Sequence, residues 1–299
     1  MITPAFLKKG NKIGIVAPAR KISLQEITPA IKIIESWGFD VVLGKNLFKS
    51  KNQFAGTDKE RADDMQEMLD NKEIKAIFCA RGGYGTIKIL EYFNFDKFIK
   101  SPKWLIGYSD ITVLHSYINS VLKIETLHAS MPINFANNNN KSLELLKSTL
   151  SGNKLSYKVK PHKFNKPGTA IAEIVGGNLS VLYSIAGTKY DIDTNNKILF
   201  IEDLDEYLYH IDRMMMNLKL SGKLDNLKGL IIGGMNDMND NKIPYGKSAY
   251  QIVYDIIKDC NFPVCFDFKA GHIEPNLPII LGRKISLNIN KNVIIEFMN

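Results

Sequence analysis

The stretch Trp104-Leu105-Ile106-Gly107-Tyr108-Ser109-Asp110-Ile111-Thr112 reads as a buried strand that turns into a helix. Residues 103–106 have the length and apolarity of a buried strand, and residues 111–122 carry helical spacing. Ser109 stands at the turn between them. A serine placed there can hold its hydroxyl over the end of a sheet, where the first amides of the helix point at any oxyanion that forms. A serine before a helix also serves as an N-cap, and one turn can accommodate both roles.

Outward from this junction, strands and helices alternate. Residues 12–17 (KIGIVA) form a short apolar strand ending at Pro18. Residues 24–37 have helical periodicity that stops at Gly38, and 39–43 form the next strand. Thr57 suits the N-cap of a helix over 58–69, with Asp58 and Glu60 favouring its positive end. A strand over 76–80 runs into Arg81-Gly82-Gly83-Tyr84-Gly85 and a helix from Thr86, and a further strand lies near 124–127. This alternation predicts an α/β fold: a doubly wound, mostly parallel sheet with helices on both faces. Ligands of such sheets bind at the carboxyl ends of the strands, where Ser109 and the Arg81–Gly85 turn both fall.

The run Asn137-Asn138-Asn139-Asn140 and the lysine-rich 158–168 segment mark a boundary, with an amphipathic helix over 142–150 between them. The expected organisation is an N-terminal domain over 1–135, a linker region over 136–170 and a smaller C-terminal α/β domain over 171–299. In the second half, a strand over 171–175 turns at Gly176-Gly177-Asn178 into a helix, and a strand over 197–202 ends in acids. A helix spans 207–220, a strand over 230–232 ends in Gly233-Gly234, and a helix spans 248–258. Short strands and a hairpin around Asn290-Lys291-Asn292 close the chain.

Bulk properties narrow the function. With 299 residues, 45% apolar and 23% charged, the chain can bury a large core without disulfide staples. No apolar run is long enough to span a bilayer, and the start lacks a signal-peptide core, so a cytoplasmic protein without a membrane partner is expected. Three cysteines fit a reducing compartment and packing roles, and Cys260 and Cys265 match no common zinc spacing, so no metal is expected. The net charge of +8 is scattered along helix faces. That pattern argues against a nucleic-acid partner and suits a mild attraction for small anionic substrates.

Serine chemistry needs a base, a group to orient it, and amide donors for the oxyanion. Of the five histidines, His115 falls inside the helix after Ser109, His128 ends a strand, His162 lies in the basic linker and His210 sits within a helix. His272 lies in the loop Lys269-Ala270-Gly271-His272-Ile273-Glu274-Pro275-Asn276, pinned by glycine and proline. It is either a positioned base or a surface residue. Among the acids of Glu202-Asp203-Leu204-Asp205-Glu206, the last three suit caps or first turns of the next helix. Glu202 remains within its apolar strand, where a carboxylate is costly unless paired, and an imidazole N–H would be such a partner. The Arg81–Gly85 turn could cradle an anion or be a tight turn; it lacks the residues of a P-loop or a dinucleotide fingerprint, and no cofactor is expected.

Seven segments together resemble the LD-carboxypeptidase family of serine peptidases, which also holds the microcin-C immunity peptidases. They are Ile13-Gly14-Ile15-Val16-Ala17-Pro18, Ala55-Gly56-Thr57-Asp58 with Arg61, Ala80-Arg81-Gly82-Gly83-Tyr84-Gly85, Gly107-Tyr108-Ser109-Asp110-Ile111-Thr112, Gly176-Gly177-Asn178-Leu179, Phe200-Ile201-Glu202-Asp203 continuing to Asp212-Arg213-Met214, and Gly271-His272. The resemblance implies a two-domain fold and a triad of Ser109 as nucleophile, Glu202 as orienting acid and His272 as base. It implies an oxyanion hole from the Asp110 amide and one of Gly82 or Gly83. It further implies a homodimer that releases D-alanine from the L,D bond of a murein tetrapeptide. An exopeptidase must recognise a terminal carboxylate, and Arg81 is the candidate cation by position and by its fork geometry. Two alternatives stay open: an immunity-type amidase acting on peptidyl or aminoacyl nucleotides, and a non-enzymatic phosphate or nucleotide binding module using the Gly82-Gly83 turn.

Overall fold

A computed structural model describes residues 1–298. The first half contains β1 (Lys12–Val16), α1 (Leu24–Ser36), β2 (Asp40–Leu43), α2 (Asp58–Asp70), β3 (Ile74–Cys79), α3 (Asp96–Lys100), β4 (Trp104–Gly107), α4 (Thr112–Tyr117) and β5 (Thr126–His128). Then come α5 (Asn140–Leu150), β6 (Ser156–Val159), β7 (Gly168–Asn178), α6 (Leu179–Ile185), β8 (Ile198–Leu204), α7 (Leu208–Leu220), β9 (Gly229–Asn236) and α8 (Ala249–Ile257). The chain closes with β10 (Val264–Cys265), β11 (Ile279–Leu281), β12 (Lys284–Ile289) and β13 (Val293–Phe297). No helix among the described residues is long and apolar enough to cross a membrane.

The strands form two sheets. The first has the order β11-β5-β4-β3-β1-β2, with every pair parallel except β11 against β5. The second has the order β10-β9-β8-β7-β12-β13-β6; β10 to β7 run parallel, and the remaining pairs are antiparallel. The parallel α/β reading of the first half therefore holds. Its strands are apolar on both faces, as β3 and β4 show with buried residues along nearly their whole length.

Local signals explain where the helices begin. Ser23 and Thr57 each form a complete capping box, with Glu26 and Glu60 respectively. Two expected helices take other forms. Thr86–Tyr92 is a 3-10 segment whose first amide is satisfied by the Asp110 carboxylate at 2.8 Å rather than by a cap. The helix after Ser109 begins as a 3-10 turn, Ser109–Ile111, and ends in a π segment, Ile118–Leu122. Asn119 bonds the Ile124 carbonyl at 2.8 Å just beyond that widened turn.

The region 136–170 is ordered rather than open. α5 buries Leu143, Leu146 and Leu150 in the main core, and β6 is the edge strand of the second sheet. The two sheets are also stitched together. β11, from the last third of the chain, crosses to pair with β5. Beside it, Arg283 donates to both oxygens of Glu125 at 3.0 and 2.6 Å, with both side chains nearly buried. The amide of Asn178 donates to Thr112 Oγ1 at 3.0 Å, tying the end of β7 to the helix that follows Ser109.

A buried ion pair of this kind is costly to break from one side, because the remaining charge stays desolvated. Glu125→Ala should lower the unfolding free energy by about 3 kcal/mol or more in urea titration. A wild-type midpoint and slope would show that the Glu125–Arg283 contact does not fasten the sheets.

Candidate active site

Ser109 leaves the carboxyl end of β4 with φ +64°, after an extended Tyr108. A non-glycine residue in the left-handed region carries roughly 1–3 kcal/mol of strain and is held there only by its surroundings. The holding groups can be named. Asp110, buried one residue on, accepts the Thr86 amide. Burial pushes its carboxyl up, against the pull of the Thr86 hydrogen bonds. Arg61, fully buried, donates to the Gly85 carbonyl at 2.9 Å and also bonds the Pro18 carbonyl and Asp58. The serine turn, the glycine turn and the end of β1 are thus locked to one another.

Ser109 is the first residue of the 3-10 turn rather than its cap; the cap position is held by Tyr108, whose side chain makes no cap hydrogen bond among the described residues. Gly82 lies against it: a Cβ at residue 82 would sit 3.0 Å from Ser109 Oγ and 3.5 Å from the Asp110 amide. Gly83 instead lies under Arg20, whose Cδ would be 2.5 Å from a Cβ there. Of the two glycines, Gly82 is the one beside the hydroxyl.

Glu202 occupies β8 and is completely buried. Its Oε2 accepts the Nδ1–H of His272 at 2.7 Å and the His272 backbone amide at 3.1 Å. The approach depends on Gly271 at φ +100°, where a Cβ would fall 2.5 Å from Glu202 Cγ. Asn276 Oδ1 accepts the Gly271 amide at 2.9 Å. Glu274 accepts the Asn139 amide at 2.8 Å and the Asn138 side chain at 3.0 Å, so the asparagine run fastens the histidine loop.

Burial opposes charge on Glu202, but the neighbouring His272 and His128 outweigh it and hold the carboxyl at about 2. Burial likewise disfavours an imidazolium at His272, and the Glu202 carboxylate overcomes this and raises its pKa. The Tyr108 ring packs on His272 with centroids 4.8 Å apart. Asp203, next along β8, is pushed up to about 7 by burial and by the charge of Glu202. It accepts from Asn178 Nδ2 at 2.9 Å and the Ser180 amide at 2.8 Å, setting the start of α6.

Ser109 and His272 line one cleft of about 440 Å³ with Gly82, Gly83, Arg20 and Arg81. That volume falls in the usual range for small-molecule sites. No direct hydrogen bond joins Ser109 to His272 among the described residues. Arg81 is partly occupied: it donates to the Lys21 carbonyl at 3.2 Å and lies 3.8 Å from Glu26. Arg20 is exposed at the cleft and has no ion pair among the described residues. Sequence reading passed over Arg20, although it follows the carboxyl end of β1, the edge where ligands of such sheets bind.

The other histidines are placed elsewhere or differently. His115 is buried, bonds Thr126 Oγ1 and the Gly107 carbonyl at 2.9 Å each, and is held near 3 by burial. His210 pairs with Glu206 at 2.6 Å, and His162 stacks on Phe266. His128 is buried beside Glu202, its Nε2 4.0 Å from Oε1. No cluster of three or more His, Cys, Asp or Glu side chains able to hold a metal occurs among the described residues.

Two family models match this chain: the LD-carboxypeptidase N-terminal domain over residues 13–129 and the C-terminal domain over 172–287. The chain belongs to the LD-carboxypeptidase family. It is an enzyme, a hydrolase of the serine carboxypeptidase class. Among its relatives is a protein named probable murein peptide carboxypeptidase from Bacillus subtilis, 36% identical over 98% of this chain and 94% of its own length. The microcin C7 self-immunity protein MccF of Escherichia coli is 27% identical over 97% of this chain and 94% of its own length. Among solved structures, the muramoyltetrapeptide carboxypeptidase of Oxalobacter formigenes superposes with a TM-score of 0.88 at 25% identity, covering 96% of this chain and 99% of that one. MccF in its ligand-free state superposes with a TM-score of 0.91 at 23% identity, which speaks to the fold.

The contact between Glu202 and His272 has a measurable consequence. In Glu202→Gln the charge disappears while the burial stays, so the His272 ring should titrate below its ordinary value of 6.5 instead of above it. NMR titration of ring-labelled protein reads this directly. An unchanged His272 pKa would mean that the carboxylate does not act on the ring.

Proposed function

We propose that this enzyme releases a C-terminal D-alanine from the L,D peptide bond of murein tetrapeptides through Ser109, His272 and Glu202. The observation that carries the reading is the buried Glu202–His272 hydrogen bond, opening onto the same cleft as a strained Ser109. The names of the Bacillus and Oxalobacter relatives support the substrate class.

In the first step Ser109 Oγ attacks the scissile carbonyl carbon and its proton passes to His272 Nε2. Glu202 fixes the Nδ1–H tautomer and stabilises the imidazolium. The amides of Asp110 and Gly82 receive the developing oxyanion, a contribution of about 3–4 kcal/mol per donor in comparable sites. The C–N bond then breaks, His272 returns the proton to the leaving amine, and D-alanine departs. Water, deprotonated by the same histidine, hydrolyses the Ser109 ester and frees the shortened peptide. Arg20, which has no ion pair among the described residues, is the cation for the terminal carboxylate, and Arg81 supports the rim.

The immunity-type reading keeps the same three residues but needs a surface for a nucleobase. Among the described residues that line the cleft there is no Phe, Tyr or Trp. The adjoining pocket, which shares Asn134 and His272 with this cleft, is lined by Tyr108, so the preference for a peptide substrate rests on the names of the relatives.

Ser109→Ala should reduce D-alanine release from a murein tetrapeptide on the order of 10⁴-fold while leaving the fold intact. Retained activity would remove Ser109 from the chemistry, and faster turnover of an aminoacyl sulfamoyl nucleotide by the parent enzyme would favour the immunity reading. Arg20→Ala should raise KM for the free tetrapeptide about tenfold or more, yet leave turnover of its C-terminal amide unchanged. Equal losses on both substrates would show that Arg20 does not read the carboxylate.

A further inference from the structure

The contact to His272 uses one oxygen of Glu202, and the other has no hydrogen-bond partner among the described residues. Oε1 is buried and unpaired, and the nearest titratable group to it across the seam is His128. His128 ends β5 in the first sheet; Glu202 lies on β8 in the second. Both side chains have 0% exposure. Both ring nitrogens of His128 are also unpaired, and Nε2 stands 4.0 Å from Glu202 Oε1. These two buried polar groups face each other across the seam, and a bond between them would relieve both, because an orphaned buried group costs about 1–3 kcal/mol.

The surroundings hold His128 in place. Phe200 meets its ring edge-on at 5.0 Å and Tyr108 packs at 5.7 Å. The strand register sets it opposite Gly107 on β4 and Ile279 on β11, so its backbone is fixed on both sides. The titratable groups around it are Glu202 with Asp203 next on β8, Tyr108 before the serine, His115 from α4 at 6.5 Å, and His272 beyond the carboxylate. His115 already spends both ring nitrogens on Thr126 and Gly107, so it does not compete for Glu202.

We propose that His128 is a positioning residue for the carboxypeptidase reaction, donating Nε2–H to Glu202 Oε1 so that the carboxylate is gripped from both sheets. A closure of about 1 Å converts the present separation into an ordinary hydrogen bond. The division of labour is then specific: Oε2 orients His272 and Oε1 is anchored by His128. The anchor also draws off part of the carboxylate's charge. Without it, the two contacts from His272 to Oε2 remain, and the full charge falls on the catalytic ring. This inference rests on the Ser109–Glu202–His272 reading for its meaning, but its test needs no substrate.

The test compares His128→Phe, which keeps the ring's bulk and removes the donor, with His128→Gln, which restores an N–H near the Nε2 position. The His272 ring is titrated by NMR in each, and kcat and KM are measured on a murein tetrapeptide. In His128→Phe the His272 pKa should rise by about half a unit or more, and kcat should fall about tenfold or more with KM within about twofold. His128→Gln should bring both close to the parent values. A His272 pKa that is unchanged or lowered in both variants overturns the anchor. So does a kcat loss that glutamine fails to restore. If the titration behaves as stated while the tetrapeptide is not cut by the parent enzyme, the substrate reading fails and the anchor stands.

Discussion

A carboxylate is buried at the seam between two sheets, and much of the site exists to make that tolerable. Glu202 has no access to water, and an unpaired charge there would cost several kcal/mol. The chain meets this by bending a loop at Gly271, where no side chain could fit, and by presenting both the amide and the ring of the next residue to the carboxylate. Stability and orientation are the same contact here. The pair that removes the penalty would also fix the imidazole tautomer that the proposed serine chemistry requires.

The second constraint is the strained turn at Ser109. A left-handed serine persists only because Asp110, Arg61 and Thr86 over-determine the loops around it. The two constraints come from different halves of the chain and meet because the halves are interlocked. β11 leaves the C-terminal half to extend the first sheet, Arg283 grips Glu125, and Asn178 reaches Thr112 behind the serine. The placement of His272 relative to Ser109 is therefore a property of the seam rather than of either sheet alone.

Much of this was legible in the sequence. The alternating first half gave the parallel sheet, because strand and helix periods differ and each turn carried its own signal. Glu202 stood out because a carboxylate in an apolar strand demands a partner, whereas the His272 loop fitted a surface residue equally and only the family resemblance singled it out. The C-terminal crossing of β11 was not legible, since three apolar residues pair wherever tertiary contacts put them. Within 136–170 the amphipathic spacing showed the helix that became α5, but β6 was hidden for the same reason as β11: it becomes a strand only against β13. His128 and Arg20 escaped because neither has a local pattern. One is defined by a residue 74 positions away on another sheet, the other by lacking an ion pair among the described residues.

In the proposed chemistry the strained serine at the seam is the group made nucleophilic by the Glu202–His272 pair. Covalent labelling with a serine-reactive phosphonate, followed by mass mapping of the modified peptide, tests it most directly. The expected result is a single adduct on Ser109 that is lost when His272 is replaced by alanine. An adduct on another serine, or labelling of Ser109 that is indifferent to His272, would contradict it.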